Sequence, residues 1–411
     1  MSSIGQVTNI DTNNASASSG LAAVPNIAQI QSIIMTSASG KEEDIRFITQ
    51  KIEITESIYS PTLILNLTIQ ESAAFFERFP IIGQELITII FNKADFKDGP
   101  TPIKEVIHTF KVTEYNNYNR SDEQEKVANY TLSAISAFAY NSASLTVSRS
   151  YGRKRDITEE IQNLFSELGV DELNVIGEVN TKSVGILNKQ DPLKAIEFLR
   201  KHCFDANGGP FYIFQTLDSK VNMVSYENLV KKVPYEKYHA TKIFSHNAYS
   251  TEDYEDRKKR ILRVNSFMDL SKFFSGQEGA YASKTNTMDW SNKSYITSQF
   301  TYNQSATLND NKPFSSETDD PSNKFDTKSN NMSVNAMAWE GASGYNDELN
   351  KNVSEMQSHQ ANLDTMTHDV QLMGDFDLNA GQEVQIYSAL SSGDLYASAN
   401  GHNGFSGHLL V

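Results

Sequence analysis

Two-residue alternation of apolar and polar side chains constrains this chain more than any other feature. Ile52 and Ile54, then Leu63, Leu65, Leu67 and Ile69, each sit between polar neighbours. That is the pattern of antiparallel strands with one face buried and the other wet. Tyr130, Leu132 and Ala134 repeat it. Near the C-terminus Val370, Leu372, Phe376 and Leu378 carry it at even positions, broken at Gly374, and Val384 and Ile386 resume it after the turn residues Asn379-Ala380-Gly381. The stretch Val370–Tyr387 shares its grammar with Phe79–Phe91: a turn glycine, two polar residues, then a β-rich run. Gly83-Gln84-Glu85-Leu86 thus echoes Gly381-Gln382-Glu383-Val384. A shared tripeptide is within chance for a chain this long. The shared frame gives it weight, and implies two related β-domains about three hundred residues apart.

A chain of 411 residues buries a sizeable core and divides into roughly two to four domains. Residues 1–26 are Ser, Asn and Ala in low-complexity order and read as a flexible arm. Residues 27–147 read as a first small antiparallel β-barrel. It has one helical turn at Ser72–Arg78 ended by Pro80, a loop at Lys97-Asp98-Gly99-Pro100, a strand His108–Tyr115, a polar hairpin tip Asn116–Lys126 and a strand Ala128–Phe138. Over 148–206 the period changes. Asp156 with Glu159 resembles a capping box, and Ile157, Ile161, Leu164, Phe165 and Leu168 follow at helical spacing to a stop at Gly169. Asp191-Pro192 opens a second helix with the stripe Leu193, Ile196, Leu199 and Cys203. A β segment at Asn174–Val179 between the helices makes this an α/β module, completed by 250–345.

Strands return at Phe211–Phe214 and Val221–Tyr226, joined by the hairpin residues Asp218-Ser219. Ser250–Met268 reads as a helix, because acidic residues come first and the basic cluster Arg257–Arg260 later, as the helix dipole favours. From Ser271 to Gly344 the chain is rich in Asn, Ser, Thr and Asp with scattered aromatics, the mark of a long irregular and β excursion. Asn346–Thr367 carries Leu349, Val353, Met356, Leu363 and Met366 on one helical stripe. Residues 207–249 and 346–411 together read as a second barrel. The fold class is α+β, mainly β, with two similar tube-type barrels separated by the α/β module and the irregular insertion.

Several function classes are excluded or weakened. A net charge of −15 opposes tight binding to phosphate backbones, although it suits a passive channel for DNA. No apolar run reaches membrane-spanning length, and the N-terminus lacks the basic-then-apolar order of a secretion signal. The single cysteine rules out an internal disulfide framework; sequons such as Asn66 and Asn303 carry no message, because no signal routes the chain to glycosylation machinery. Cys203 beside His202 suggests a thiol nucleophile, but adjacent helical residues face different ways and Cys203 lies on the apolar stripe; a buried structural cysteine is the better reading. His359, His368, His402 and His408 match no zinc spacing. Gly401, Gly404 and Gly407 form a glycine-rich loop without the lysine or following helix of a phosphate cradle. No catalytic, cofactor-binding or metal-ligating constellation is assigned, and the expectation is a protein that is not an enzyme and carries no cofactor.

Ser148-Arg149-Ser150-Tyr151, followed by Gly152-Arg153-Lys154 and a capped helix, resembles the junction after the first barrel in baseplate central hub proteins of contractile-tailed phages. Asp191-Pro192-Leu193-Lys194-Ala195-Ile196, Gly209-Pro210-Phe211-Tyr212-Ile213-Phe214 and Val224-Ser225-Tyr226-Glu227-Asn228-Leu229 are similar to the helix-then-hairpin passage of those proteins. Gly279-Ala280-Tyr281-Ala282-Ser283 and Phe300-Thr301-Tyr302 resemble their middle segment. Gly374-Asp375-Phe376 through Gly381-Gln382-Glu383-Val384 and the closing Ser406–Val411 resemble their final hairpin. The likeness runs over nearly everything after about residue 45 and extends to the hub part of type VI secretion spike proteins.

The resemblance implies a homotrimer whose six similar barrels adapt a six-fold tail tube above to a three-fold cell-puncturing spike below. Peripheral wedge proteins would meet its outer face, and DNA would pass an acidic lumen without specific binding. The expected location is the tail baseplate of a virion, assembled in the host cytoplasm, with no membrane insertion. The chain stops at Leu409-Leu410-Val411, where the family often continues. The expectation is therefore a spike attached by a short C-terminal edge and no fused lysozyme, peptidase or spike domain. Three alternatives stay open: a hub or spike carrier of a non-phage contractile injection or secretion system, a tail-associated cell-wall hydrolase, and a carbohydrate-binding baseplate protein using the aromatics from Tyr281 to Tyr302.

Overall fold

The computed structural model describes residues 6–11, 29–71, 75–93, 104–120, 127–152, 156–179, 185–206, 208–230, 233–239, 259–268, 282–289, 293–301, 331–337, 366–372, 377–387 and 406–411, with Met356, His359 and Leu363 besides. Its N-terminal part is an eight-stranded antiparallel sheet of β1 (Gln6–Asp11), β2 (Gln29–Thr36), β3 (Glu42–Asp44), β4 (Thr49–Glu56), β5 (Ile64–Glu71), β6 (Leu86–Lys93), β7 (Lys104–Arg120) and β8 (Ala128–Ser136), ordered β1-β4-β5-β8-β7-β6-β2-β3. Alternation sets its faces. Ile52 and Ile54, Leu65, Leu67 and Ile69, Ile87 and Ile89, and Tyr130, Leu132 and Ala134 all turn inward into one core. The short turn Arg46–Ile48 after β3 packs against both β2 and β5, which stand four places apart in the sheet. Flat, those strands would lie roughly 19 Å apart, so the sheet curls and covers its own apolar face. The helical turn α1 (Phe75–Arg78) adds Phe75, and Phe79 follows it into the same core.

Three expectations change here. The arm over 1–26 is not structureless throughout, because Gln6–Asp11 pairs antiparallel with β4 along Lys51–Glu56 and extends the sheet. Strand β7 runs to Arg120 and not to Tyr115, because its far end keeps pairing with Ala128–Thr131 of β8 across two bulges. After β8 the chain turns into a short helix, α2 (Ala137–Ser142), where the alternation alone continued the strand. Residues 97–100 lie outside the described residues.

The next part contains β9 (Val147–Tyr151), α3 (Ile157–Glu167), β10 (Leu173–Ile176), β11 (Gly185–Gln190), α4 (Pro192–Arg200), β12 (Phe211–Gln215), β13 (Val221–Ser225) and α5 (Tyr226–Val230). Asp191 caps α4 by accepting the Lys194 backbone N–H at 2.9 Å, with Pro192 in the first turn, as the sequence indicates. Asp156 precedes α3 in extended backbone but accepts no capping bond from its side chain. Glu160, next to the capping-box candidate Glu159, is buried and meets the Arg149 guanidinium at 2.5 Å. Gly169, with φ +86°, ends α3 as the Val170 N–H reaches back to the Phe165 carbonyl at 3.0 Å.

The sheet order β10-β13-β12 corrects the grouping of 207–249 with the second barrel. Strand β13 pairs with β12 as a hairpin and runs parallel to β10, so Phe211–Ser225 belongs to the α/β sheet, while only β14 (Lys237–His239) joins the C-terminal strands. The reason is two-sided burial. Phe211, Ile213, Val221 and Met223 pack with α3 and α4, and Tyr212, Phe214 and Val224 pack on the opposite face with Ile58, Leu229 and Ala380.

Downstream lie β15 (Ile261–Met268), β16 (Ala282–Asp289), β17 (Ser294–Thr301), β18 (Asn331–Met337), β19 (Met366–Leu372), β20 (Glu383–Tyr387) and β21 (Ser406–Leu410). The helix read over Ser250–Met268 is corrected: Ile261–Met268 is a strand paired with β19. That reading followed charge order, whereas the decisive feature is the register of Val264 on Val370 and Phe267 on Thr367. Of the helix over Asn346–Thr367, Met356, His359 and Leu363 are helical, but Met366 already begins β19. Strands β17-β16-β18 form a small sheet within the excursion. Strands β14-β20-β21 and the pair β15-β19 share a core of Tyr238, Ile261, Leu378, Val384 and Ile386, flanked by Val370, Leu372 and Val411.

Candidate functional site

The site with the most built-in chemistry among the described residues is a junction of three segments remote in sequence. Glu56 ends β4 on the inward register of Ile52 and Ile54 and is fully buried. One carboxyl oxygen accepts the backbone N–H of Leu217, at the tip of the β12–β13 hairpin. The other accepts the N–H of Ala380, in the turn before β20, at 2.6 Å. The hairpin tip is itself plugged into the first sheet, with the Leu217 side chain in the same core as Ile52 and Leu65.

Further bonds hold the hairpin. His108, on the inner face of β7, donates through Nε2 to the Leu217 carbonyl at 2.7 Å. Ser219, at φ +67°, donates to the Ile107 carbonyl at 3.1 Å. Gln215 Oε1 receives the Ser136 hydroxyl at 2.5 Å and the Leu63 N–H at 3.3 Å. The electrostatics follow from burial. Desolvation pushes the Glu56 acid up to about 7, against the two N–H bonds, with Asp218 adding to the rise. Burial also lowers His108, which keeps the ring neutral. Asp218 is held below its ordinary range: burial opposes this, but bonds from Thr216 and Lys220 outweigh it.

The Ala380 turn is packed as closely as it is bonded. Gly381 has φ +80°, and a Cβ there would stand 2.5 Å from Phe214 Cζ. Its N–H donates to the Val411 carbonyl at 2.8 Å, and the Val411 N–H returns to the Gln382 carbonyl at 2.9 Å. Gly83 has the same left-handed backbone, φ +87°. Its turn is organised differently, because the buried Glu85 carboxylate accepts the N–H groups of Ile82, Gly83 and Gln84 at 2.7, 2.9 and 3.0 Å. At Gly381 the corresponding closure is the Asn379 N–H on Gln382 Oε1 at 3.0 Å. The two turns share a glycine conformation and not a hydrogen-bond scheme.

None of this is a catalytic arrangement: it has a buried acid and a neutral imidazole, each committed to backbone groups. Cys203 is fully buried, its thiol donating to the Leu199 carbonyl at 3.4 Å, and burial pushes its pKa up to about 12. His202 contacts the Phe198 carbonyl at 2.8 Å and not the thiol. His359 lies buried against the Tyr226 ring at 4.4 Å. His368 is on β19 and His408 on β21, in different sheets; His402 lies outside the described residues, as do Gly401, Gly404 and Asn303. Among the described residues no group of His, Cys, Asp and Glu could hold a metal, and no helix is long and apolar enough to cross a membrane. Of the aromatics considered for carbohydrate, Tyr295 is exposed on β17, while Tyr281, Trp290 and Tyr302 lie outside the described residues.

Sequence reasoning missed Glu56, His108 and Leu217. A signal existed for the first two: each is an ionisable residue at an inward position of an alternating strand, which demands a specific partner. Leu217 gave none, because a single leucine in a turn is unremarkable until the turn is seen inside another core.

No protein-family model matches this sequence, and a search of curated proteins finds no relative. Solved structures similar to this chain include tail and secretion proteins. A tail protein from Neisseria meningitidis aligns over 87% of this chain and 86% of its own, with a TM-score of 0.48 and 12% identity. A prophage tail protein from Listeria monocytogenes aligns over 87% and 85%, with a TM-score of 0.36 and 11% identity. An E. coli component of the type VI secretion system aligns over 62% and 60%, with a TM-score of 0.33 and 10% identity.

Proposed function

We propose that this chain is a structural tail protein without enzymatic activity: the trimeric central hub of a contractile-tail baseplate, whose six similar barrels adapt the six-fold tail tube to the three-fold spike. The observation that carries this reading is the eight-stranded sheet, whose described edges β1 and β3 each have a partner on one side only. Strand edges are a liability in a protein that stays alone, and pairing them across subunits is a physical route by which identical sheets close into a ring. In support, the passages that resemble phage hubs are the same ones that tie the chain together: the β12–β13 hairpin and the Ala380–Gly381 turn both meet at Glu56.

In this reading Gly83 and Gly381 open equivalent strands, β6 and β20, in two barrels, and the α/β module with the 250–345 excursion lies outside or below the ring. The net charge of −15 suits a lumen that DNA crosses without sticking; reversing lumen acids to lysine then slows genome ejection from assembled particles. Particle images of the purified protein test the proposal. Three-fold particles with a central opening are expected, and images of compact particles without symmetry would overturn it. A second reading, a hub in a secretion or injection machine that passes proteins, is supported by the same passages, and the neighbouring genes distinguish it. The hydrolase alternative predicts peptidoglycan cleavage by the purified chain.

A further inference from the structure

We propose that Phe47 is a knob by which one copy of this chain docks on the next, seated in an apolar cavity that Tyr59, Pro61, Leu193, Ile196 and Ile213 form in the neighbouring copy. The inference rests on the reading of this chain as a ring-forming subunit, and it names one contact of that ring.

The knob is held in place. Phe47 is 79% exposed, on the turn Arg46–Ile48 between β3 and β4. A single exposed apolar side chain is ordinary, but this one stands on a closed turn. The Ile48 and Thr49 N–H groups both donate to the Ile45 carbonyl at 3.1 Å, and the Thr49 hydroxyl joins them at 2.8 Å. The Arg46 N–H donates to the Asp44 carboxylate at 2.9 Å. The Arg46 guanidinium lies 4.6 Å from the centre of the Phe47 ring while donating to the Gln31 carbonyl at 2.5 Å. An aromatic ring with an arginine fixed against it loses little freedom on docking, and such anchors carry most of the energy of an interface.

The cavity has a volume of about 250 Å³ and lies where the β4–β5 turn meets α4. Its floor is the buried pair Ile196 and Ile213, and Tyr59, Pro61 and Leu193 stand around it. An apolar cavity of about 150 Å³ already accepts benzene, so a phenyl ring fits.

Knob and cavity do not meet within one chain. Phe47 precedes the first residue of β4 and Tyr59 follows its last. From Thr49 to Glu56, at about 3.3 Å per residue, the strand holds its two ends about 23 Å apart. A contact between opposite ends is heterologous: copies follow one another head to tail, and close into a ring when the rotation allows it. Charge favours a second copy as the occupant. Arg46 and the acids of β3, Glu42 and Glu43, flank the knob, while Glu197 and Lys194 stand on the rim of the cavity. Glu197 holds Arg200 at 2.6 Å and Lys194 holds Asp191 at 2.8 Å. Both are surface pairs, which exchange partners at little cost, so docking sets Arg46 against Glu197 and the β3 acids against Lys194.

A photoreactive phenylalanine analogue, p-benzoyl-phenylalanine, placed at position 47 of the full-length chain tests the contact in an equal mixture of isotopically light and heavy copies. Irradiation is expected to give mixed light–heavy cross-links to peptides spanning 57–63 or 191–200. Phe47→Ala is expected to weaken self-association about thirty-fold, read by light scattering over a concentration series. Leu193→Glu should weaken it from the other side. Cross-links confined to one copy, cross-links to other peptides, or an unchanged dissociation constant in Phe47→Ala overturns this contact and leaves the ring reading standing. A wild-type chain that is monomeric alone but trimeric with the spike also overturns the contact only, whereas one that is monomeric even with the spike overturns both.

Discussion

Replacing Leu217 with alanine removes the one side chain that the β12–β13 hairpin inserts into the core of the eight-stranded sheet. The leucine is 4% exposed. Losing the three carbons beyond Cβ forfeits about 2.4 kcal/mol of transfer free energy at about 0.8 kcal/mol per carbon. A cavity term is added wherever the surroundings do not collapse, and buried Leu→Ala changes span roughly 2–5 kcal/mol. Here the residue sits on a turn between strands, which closes part of the space, so about 3 kcal/mol is expected. Urea unfolding followed by circular dichroism measures it: with a slope of about 2 kcal/mol per M, the midpoint falls by about 1.5 M. Val233→Ala is the control, because Val233 is 88% exposed and should shift the midpoint by less than about 0.3 M. A Leu217→Ala loss below about 1 kcal/mol, or one no larger than the control's, refutes the plug between the α/β module and the sheet.

The pH dependence of stability offers a paired prediction. Glu56, raised to about 7 from 4.5, contributes stability that is lost as pH rises through that window. His359, lowered to about 4 from 6.5 by burial, contributes stability that is lost as pH falls through its own window. Between pH 5 and 6 the two trends are each about 1 kcal/mol and opposite in sign. Glu56→Gln should therefore gain stability as pH rises over that interval and His359→Phe should lose it, with urea midpoints as the measure; variants moving in the same direction contradict both burials. Gly381→Ala should destabilise by about 2 kcal/mol or more, because a left-handed backbone and the Phe214 ring edge both oppose a Cβ; a thermal midpoint equal to the wild type's argues against that packing. The Cys203 thiol should react with a disulfide reagent only after denaturant is added, and rapid labelling of the native protein would count against its burial.

How much was legible depended on whether a pattern needed one element or two. Alternation placed β4, β5 and β8 and their inward side chains, because burial on one face leaves a period of two in any single strand, whereas β1 reads as part of a flexible arm. The capping chemistry of Asp191-Pro192 and the stop at Gly169 were equally local. Ile261–Met268 misled because its charge order favours a helix while its partner, β19, lies about a hundred residues away. The placement of Phe211–Ser225 was hidden for a similar reason: apolar side chains on both faces say that a strand is covered twice, not by what. The junction was the least legible part. Glu56 shows as an acid on an apolar face, but Leu217 and Ala380 contribute backbone N–H groups, which no sequence pattern marks.

The most direct test of the hub assignment is the mass of the purified protein in solution, measured by light scattering alone and with its candidate spike. The account predicts a trimer of about 138 kDa, three times the 45.9 kDa chain, formed alone or when the spike is added. A 45.9 kDa monomer that persists with the spike present would contradict it.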